Sequence, residues 1–276
     1  MLPDFNRDIV EQTKNEILDS ARRAVEKSIS QCETVLAYSG GVDSALLVKL
    51  VLSANPQATL LSLGREDSSD VRAVKHSDPF EKADLVIGKI SEDDIRLAAK
   101  KVIELSEVST LPHFEDCVAF WLLADRAVEI GKFHGLASAN GPDELFCGYD
   151  RFRRILDEEG YDAVDAEILA ALDSADRLGS QGGSLLSEFG LRLCNPFLDK
   201  DFRGFCLKVS SEMKILRGND LLRKRIWRYA GASLGLPQSI VLRPKKAMQY
   251  GMGIHSVISN MLKEGSLSLE IASKNK

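Results

Sequence analysis

Residues 37–47 read Ala37-Tyr38-Ser39-Gly40-Gly41-Val42-Asp43-Ser44-Ala45-Leu46-Leu47, and the hydrophobic pattern changes across them. Residues 33–37 form a short apolar and β-branched run, which predicts a strand. After this turn the apolar residues recur with the spacing of an amphipathic helix, at Val42, Leu46, Leu47, Leu50 and Val51. The Ser-Gly-Gly sequence is therefore predicted to join a strand to a helix.

The chemistry of this turn favours an anionic ligand. Two consecutive glycines permit positive φ angles and let a ligand approach the backbone closely. The free N–H groups at the start of the helix, together with its dipole, attract an anion such as phosphate. An ordinary strand-to-helix turn is the alternative, since Gly-Gly is common there. The turn is not a Walker loop, because it lacks the Gly-Lys-Ser/Thr sequence.

Asp43 adds a carboxylate beside the expected phosphates. Two anions so close repel each other unless a cation lies between them, so Asp43 predicts Mg²⁺. The stretch resembles the pyrophosphate loop of the N-type ATP pyrophosphatases, which release pyrophosphate from ATP and adenylate an oxygen, usually of a carboxylate or a carbonyl. The resemblance implies ATP and Mg²⁺ as cofactors and a set of nucleotide-binding residues: Tyr38, Ser39, Gly40, Gly41, Asp43 and Ser44.

Further strands and helices alternate along the chain. Strands are predicted at residues 58–64, 84–88 and 133–139, and helices at 92–107 and 114–131. Ligands of doubly wound sheets bind at the carboxyl ends of the strands, so Leu63, Ser138 and Ala139 are predicted to lie near the nucleotide. The chain is therefore predicted to fold as a doubly wound parallel α/β sheet of four strands, with a helical C-terminal part.

A second motif follows the fourth strand and reads Asn140-Gly141-Pro142-Asp143-Glu144-Leu145-Phe146-Cys147-Gly148-Tyr149. Alone, it is typical of a polar turn that caps a helix. Together with the first motif it resembles a signature of the synthetase domain of asparagine synthetases, which implies an adenine nucleotide alpha hydrolase-like fold. Asp143 and Asp43 would then face one crevice and share the magnesium.

Three C-terminal segments extend this resemblance. Residues 190–199 resemble the Gly-Leu-Glu-x-Arg-x-Pro-Phe-Leu-Asp segment of the family. Residues 220–235 predict a basic helix; it is either a solvated face or, as in the family, a support for the pyrophosphate site through Lys224 and Arg228. Lys245 aligns with a catalytic lysine of the family. A cation suits that position because both the pentavalent phosphorus and the later oxyanion are anionic.

Three residues depart from the family pattern, one of which is Cys194, standing where the family has an arginine. Asn140 stands where the family has an acidic residue that handles the amine, and an amide cannot take a proton at neutral pH. Arg192 stands where the family has a glutamate, and it would favour an anionic substrate. The nucleotide half of the predicted site is thus intact and the acceptor half is altered. Lys245, Asn140 and Arg192 are the candidate catalytic residues.

Composition excludes several classes. The chain has 276 residues, a net charge of −5 and a pI near 5.5, so nucleic acid is not expected as the main partner. Its five cysteines are scattered and lack a Cys-x-x-Cys pair, which predicts a reduced cytoplasmic protein without structural zinc. We find no candidate membrane span and no signal peptide.

The chain divides into a leading amphipathic helix at 1–30, an asparagine-synthetase-like ATP pyrophosphatase domain at 31–255 and a tail at 256–276. It begins Met1-Leu2-Pro3 and has no N-terminal cysteine, so no glutaminase domain is expected. Ammonia would be free or come from a separate glutaminase subunit. A homodimer is left open.

The resemblance implies an enzyme that adenylates a carboxylate, with aspartate as the first candidate, and passes the acyl group to ammonia or an amine. One alternative is a ligase with a different carboxylate or acceptor. Another is a nucleotide-binding regulatory subunit whose acceptor chemistry has decayed. Sulfur-transferring and tRNA-modifying members of the superfamily fit less well, because the chain has neither paired cysteines nor a basic domain.

Overall fold

Five parallel strands form the centre of the molecule, whose computed structural model describes residues 5–77, 79–108, 110–218 and 220–268. The strands are paired in the order β3-β2-β1-β4-β5. Their bounds are β1 Thr34–Ala37, β2 Thr59–Gly64, β3 Asp84–Lys89, β4 Gly135–Ala137 and β5 Arg192–Cys194. This architecture confirms the predicted doubly wound α/β fold of the adenine nucleotide alpha hydrolase type.

Helices cover both faces of the sheet. Val35 and Leu36 are neighbours in β1 but belong to separate hydrophobic cores, because successive strand residues point to opposite faces. One core contains residues of α1, α2 and α10, and the other contains residues of α4, α5 and α13. The helices are α1 Arg7–Ile29, α2 Val42–Ala54, α3 Ser69–Ser77, α4 Glu92–Leu105, α5 Leu111–Ile130, α6 Pro142–Leu145, α7 Asp150–Glu158, α8 Tyr161–Ser187, α9 Lys200–Cys206, α10 Arg225–Ser233, α11 Gln238–Val241, α12 Met248–Gly251 and α13 Ile254–Lys263.

The sequence prediction omitted β5. This strand is only three residues long, and its pairing with β4 aligns Arg192 with Gly135 and Cys194 with Ala137. A segment this short has too few residues for an alternating pattern to be recognised. β5 therefore extends the sheet beyond the four strands that were predicted.

The predicted basic helix at 220–235 is shorter in the structure, because α10 begins only at Arg225. The buried Asp220 carboxylate accepts hydrogen bonds from the backbone N–H groups of Leu216, Leu222 and Arg223. Arg223 and Lys224 then adopt φ angles of 50° and 51°, which lie in the left-handed region. These residues form a tight turn that aims the Lys224 side chain before the helix starts.

The two chain ends differ from their expected roles in detail. The leading helix α1 lies on one face of the domain and packs against α2, α9 and α10. The boundary expected at 255/256 falls inside α13, whose Val257 and Ile258 are buried in the core beside α4 and α5. Residues 269–276 of the expected tail lie outside the described residues. Within the described ranges, no helix is long and apolar enough to cross a membrane.

Candidate active site

A cavity of about 320 Å³ opens at the carboxyl ends of β1, β2 and β4. This is where ligands bind in open parallel sheets. It collects most of the predicted site residues along its walls: Tyr38, Ser39, Asp43, Ser44, Leu63, Ser138, Ala139, Asn140, Asp143 and Lys245. Two segments far apart in sequence, at 37–44 and 138–143, therefore line one site.

The Ser-Gly-Gly turn is held in shape by its own serines. The Ser44 hydroxyl donates to the Gly41 carbonyl oxygen at 3.1 Å, lies 3.1 Å from the Ser39 hydroxyl and accepts from the Ser39 backbone N–H at 3.2 Å. Gly40 has a φ of 69°, a conformation that favours glycine. Gly41 is the N-cap of α2 and provides no side-chain cap, so the first-turn N–H groups of α2 stay available to an anion.

Arg243 ties this turn to the next strand's loop, a role that the sequence analysis did not identify. Its guanidinium donates to the Ser39 carbonyl oxygen at 2.8 Å, to the Ser69 carbonyl oxygen at 3.1 Å and to the Asp70 carboxylate at 3.0 Å. A Cβ added to Gly40 would lie 3.1 Å from the same guanidinium. Burial raises the pKa of Asp70 to about 6 even though Arg243 opposes this rise. Arg243 therefore connects two walls of the cavity.

Arg243→Gln should loosen the turn and weaken nucleotide binding. We expect the KM for ATP to rise about tenfold, in line with the loss of one charge-assisted hydrogen bond of roughly 1.5 kcal/mol, while kcat changes less. ATP–pyrophosphate exchange at varied ATP concentrations measures both constants. Arg203→Gln is the matched control, since Arg203 pairs with Asp176 on the surface at 2.7 Å. An unchanged KM would show that the turn holds its shape without Arg243.

Lys224 lies directly between the two predicted metal ligands. Its ammonium nitrogen is 2.5 Å from the Asp43 carboxylate and 2.8 Å from the Asp143 carboxylate, and the residue is 1% exposed. Although burial works against its charge, the Asp143 and Asp43 carboxylates hold the pKa of Lys224 above its ordinary value. Lys224 therefore stays protonated and, from behind the cavity wall, neutralises the Asp43 and Asp143 carboxylates that line it.

Lys245 reaches the same carboxylate from another direction. Its nitrogen lies 3.1 Å from Asp143 and 5.2 Å from the centre of the Tyr149 ring. Burial alone would raise the pKa of Asp143, but Lys224 and Lys245 together hold that pKa well below its usual range. Asp143 is therefore an anion shared by two lysines at neutral pH.

Trp227 fixes the other carboxylate, and the sequence analysis did not identify it either. Its indole N–H donates to Asp43 at 2.9 Å. The Trp227 ring is fully buried, stacks on Phe146 with ring centres 4.9 Å apart and meets Phe197 edge to face at 5.1 Å. Because the indole cannot move, the Asp43 carboxylate is held in one orientation.

The two carboxylates fit a magnesium ion that arrives with a nucleotide. Their oxygens contact the same Lys224 nitrogen at 2.5 and 2.8 Å, so they lie no more than 5.3 Å apart. Among the described residues, no group of three or more His, Cys, Asp or Glu side chains could hold a metal. Mg²⁺ usually takes one or two carboxylates and completes its shell with phosphate oxygens and water. Asp43 and Asp143 suit that arrangement.

Arg192 does not reach the cavity, which corrects its assignment to the acceptor half. It is the first residue of β5, so it lies at the amino end of this strand. The site is formed at the carboxyl ends of the strands. Its exposed guanidinium donates to the Gln31 side chain at 2.6 Å and to the Ser28 carbonyl oxygen at 2.8 Å. Arg192 thus links β5 to the end of α1.

Arg228 is buried outside the cavity wall. It donates to four carbonyl oxygens: those of Leu222, Arg223, Val241 and Arg243. The first two belong to the turn that carries Lys224 and the last two to the segment before Lys245. Arg228 therefore supports the site by joining the two lysine-bearing segments, and it does not itself face a ligand.

The far wall of the cavity comes from α5, α7 and α8, and sequence reasoning missed all its polar residues. His113 and Asp116 of α5, Arg151 of α7 and Ser174 of α8 line it, with Ala171 and Ala175 between them. The Arg151 guanidinium is paired with Glu167 at 2.5 Å. Asn140 lines the same cavity as these residues, which we call the acceptor wall. No recognisable motif surrounds them in the sequence.

The fold and this cavity define an α/β protein of the adenine nucleotide alpha hydrolase-like class. The sequence model of one family within that class, asparagine synthase, matches residues 16–187 and 183–269. The chain belongs to the asparagine synthase family.

Several glutamine-hydrolysing asparagine synthetases are similar to this chain. A Methanocaldococcus jannaschii protein assigned that name is 28% identical over 285 residues, covering 92% of this chain and 52% of that protein. The Mesocricetus auratus enzyme is 26% identical and covers 95% and 47%. The Homo sapiens enzyme is 27% identical and covers 92% and 46%. The chain spans about half the length of these relatives.

Proposed function

We propose that this protein is an ATP-dependent carbon–nitrogen ligase. It adenylates a carboxylate, with aspartate as the first candidate, releases pyrophosphate, and transfers the acyl group to ammonia with release of AMP. The observation that carries this proposal is the position of Lys224 and Lys245 on the Asp143 carboxylate, opposite the Ser-Gly-Gly turn. The positive charge of these two ammonium groups beside the turn would favour an anionic polyphosphate there.

The first half-reaction follows from the charges around the cavity. The substrate carboxylate attacks the α-phosphorus of ATP, and the bond to pyrophosphate breaks. The α2 N–H groups would hold the phosphates, Lys224 would balance the charge of Asp43 and Asp143 from beneath them, and Lys245 would stabilise the charge that develops at the phosphorus. A bound Mg²⁺ would neutralise the leaving pyrophosphate, with Asp43 and Asp143 as its protein ligands.

The second half-reaction takes place on the acceptor wall. A neutral nitrogen attacks the acyl carbon, and Lys245 stabilises the tetrahedral oxyanion. Asn140 lines this part of the cavity and cannot take the proton that the nitrogen loses. A different group must therefore accept this proton, or the nucleophile must lose it to solvent.

Ammonia is proposed to be free or supplied by a separate glutaminase subunit. The relatives carry glutamine hydrolysis in their names, and this chain aligns with about half of their length. If the chain acts with ammonium alone, purified protein should form an amide from ammonium and none from glutamine. Glutamine-dependent synthesis by the isolated chain would contradict a separate glutaminase.

Asn140 also favours a second candidate, a ligase of the same chemistry with a different carboxylate or amine acceptor. The two candidates are separated by ATP–pyrophosphate exchange with Mg²⁺, screened over carboxylic acids with aspartate first. Exchange with aspartate supports the asparagine-type reaction, and exchange only with another acid supports the second candidate. Nucleotide binding without exchange for any acid would favour a regulatory subunit.

A further inference from the structure

Asp116 faces the cavity from the second turn of α5. The helix begins at Leu111, and the Thr110 side chain caps it by accepting from the His113 N–H. Phe114, Cys117 and Val118 are fully buried in the hydrophobic core, so α5 is fixed in place. The same helix turns His113 and Asp116 toward the opening.

The Asp116 carboxylate has no hydrogen bond or ion pair with any described residue, although it is half-buried in the cavity wall. Burial of an unpaired carboxylate is unfavourable, and such groups occur where function requires them. Its charged and titratable surroundings come from every element around it. They are Glu115 on α5, Asp143 and Glu144 on α6, Tyr149 before α7 and Lys245 on the C-terminal segment, and His113 of α5 and Arg151 of α7 line the same cavity.

Each of these neighbours except His113 is already engaged. Arg151 is paired with Glu167, Glu144 accepts from the Tyr149 hydroxyl at 2.5 Å, and Lys245 contacts Asp143. Glu115 points away from the cavity. Its carboxylate oxygen forms a hydrogen bond with the His255 Nδ1 at 2.7 Å. Glu144 keeps one carboxylate oxygen without a partner but is held by Tyr149 through the other, whereas both oxygens of Asp116 are without a partner among the described residues and available to a ligand.

We propose that Asp116 is the general base of the second half-reaction and receives the proton that the attacking nitrogen loses. This inference rests on the proposed function and deepens it. Asp116 lines the same cavity as Asn140, so it supplies the proton acceptor that Asn140 cannot be. The proposed proton acceptor therefore lies on α5 and not in the loop after β4.

The step balances in atoms and charge. The nitrogen lone pair forms a bond to the acyl carbon, and one proton leaves the nitrogen for an Asp116 oxygen. The bond between the acyl carbon and the AMP oxygen then breaks, and its electron pair leaves with AMP. A protonated Asp116 returns its proton to solvent through the opening of the cavity.

The electrostatics agree with this role. Burial, with Glu115, Glu144 and Asp143 adding to it and Lys245 opposing it, raises the pKa of Asp116 to about 7. A general base works best when its pKa lies near the working pH. Below this pKa the carboxyl group is protonated and cannot accept, so the contribution of Asp116 should grow as the pH rises through about 7.

Asp116→Asn tests the proposal because it keeps the shape and removes the base. With the acid that gives the strongest exchange in wild-type protein, aspartate being tested first, ATP–pyrophosphate exchange should stay within about twofold. Amide formation from ammonium chloride should fall on the order of 10²-fold or more. Hydroxylamine, a neutral and stronger nucleophile, should still trap the acyl-adenylate as a hydroxamate.

The pH profile separates a base from a merely structural residue. The fraction of ammonium that is converted to ammonia at each pH is the same for both proteins. Dividing the wild-type rate of amide formation by the Asp116→Asn rate therefore cancels this effect. This ratio should rise through about pH 7 and then level off. Asp116→Glu, which restores a carboxylate, should regain part of the rate, and Asp125→Asn on the same helix is the matched control.

Several outcomes would overturn the assignment. Equal losses of exchange and of amide formation would make Asp116 structural, and a higher KM for ammonium at unchanged kcat would make it a binding group. A rate ratio that does not vary with pH would exclude a base. Wild-type protein that adenylates no acid would overturn the proposed function itself, and the role of Asp116 with it.

Discussion

Asp143→Asn should lower pyrophosphate release from ATP on the order of 10³-fold. Among the described residues, Asp143 is the one carboxylate in contact with both Lys224 and Lys245, and under the proposed function it is also a ligand of Mg²⁺. An asparagine keeps the shape of the side chain but removes the negative charge that positions the Lys224 and Lys245 ammonium groups. It also weakens the proposed Mg²⁺ site, and such cations stabilise the negative charge that develops in the reaction. Release is measured with a coupled pyrophosphate assay at saturating ATP.

Two further measurements show why activity is lost. The asparagine variant should need a higher Mg²⁺ concentration for half-maximal release, whereas a residue that only pairs with lysines would leave that concentration unchanged. The free energy of unfolding should fall by about 1–3 kcal/mol, because Lys224 keeps Asp43 as a partner. Asp93→Asn, an exposed change at the start of α4, is the control. Near wild-type release would contradict both roles of Asp143.

Lys245→Ala should reduce kcat by about 10²–10³-fold and raise the KM for ATP much less. The reason is that Lys245 lines the cavity beside Asp143, where negative charge would develop under the proposed function, while the α2 N–H groups would still hold the phosphates. Steady-state exchange kinetics give both constants. Lys263→Ala removes an exposed lysine from the last turn of α13 and serves as the control.

A loss confined to KM would mean that Lys245 only binds ATP. Binding can be checked directly by titrating the variant with a nonhydrolysable ATP analogue. Similar dissociation constants for wild-type and variant protein, combined with a lower kcat, are the expected result.

The sequence predicted the nucleotide half of the site because that half is encoded locally. The pyrophosphate turn depends on residues 39–44, whose glycines, serines and helix start are neighbours in the chain. The same holds for the second motif, where Pro142 starts α6 and Asp143 follows at once. Long helices such as α5 also follow from periodicity alone.

The long-range supports of the nucleotide half and the acceptor half could not be predicted in this way, because their contacts join residues that are distant in sequence. Trp227 meets Asp43 across 184 positions, and Arg243 meets Ser39 across 204. Arg192 was placed in the site by alignment to a family glutamate. In the structure it starts a short strand, so it lies at the amino ends of the strands, away from the carboxyl ends that form the site. Asp116 lies within an apolar helix, where periodicity identifies the core and not the side chain that faces a ligand.

The bond from Trp227 to Asp43 gives the protein a built-in optical probe. The chain has two tryptophans, and Trp121 lies apart from the cavity against Phe189. In a Trp121→Phe background, all indole emission would come from the ring whose N–H donates to Asp43. Emission from an indole depends on the charge near its nitrogen. Binding of a nucleotide or of magnesium at the Asp43 carboxylate would therefore change the emission of Trp227. Binding could then be followed by fluorescence without a labelled ligand and before any substrate acid is known.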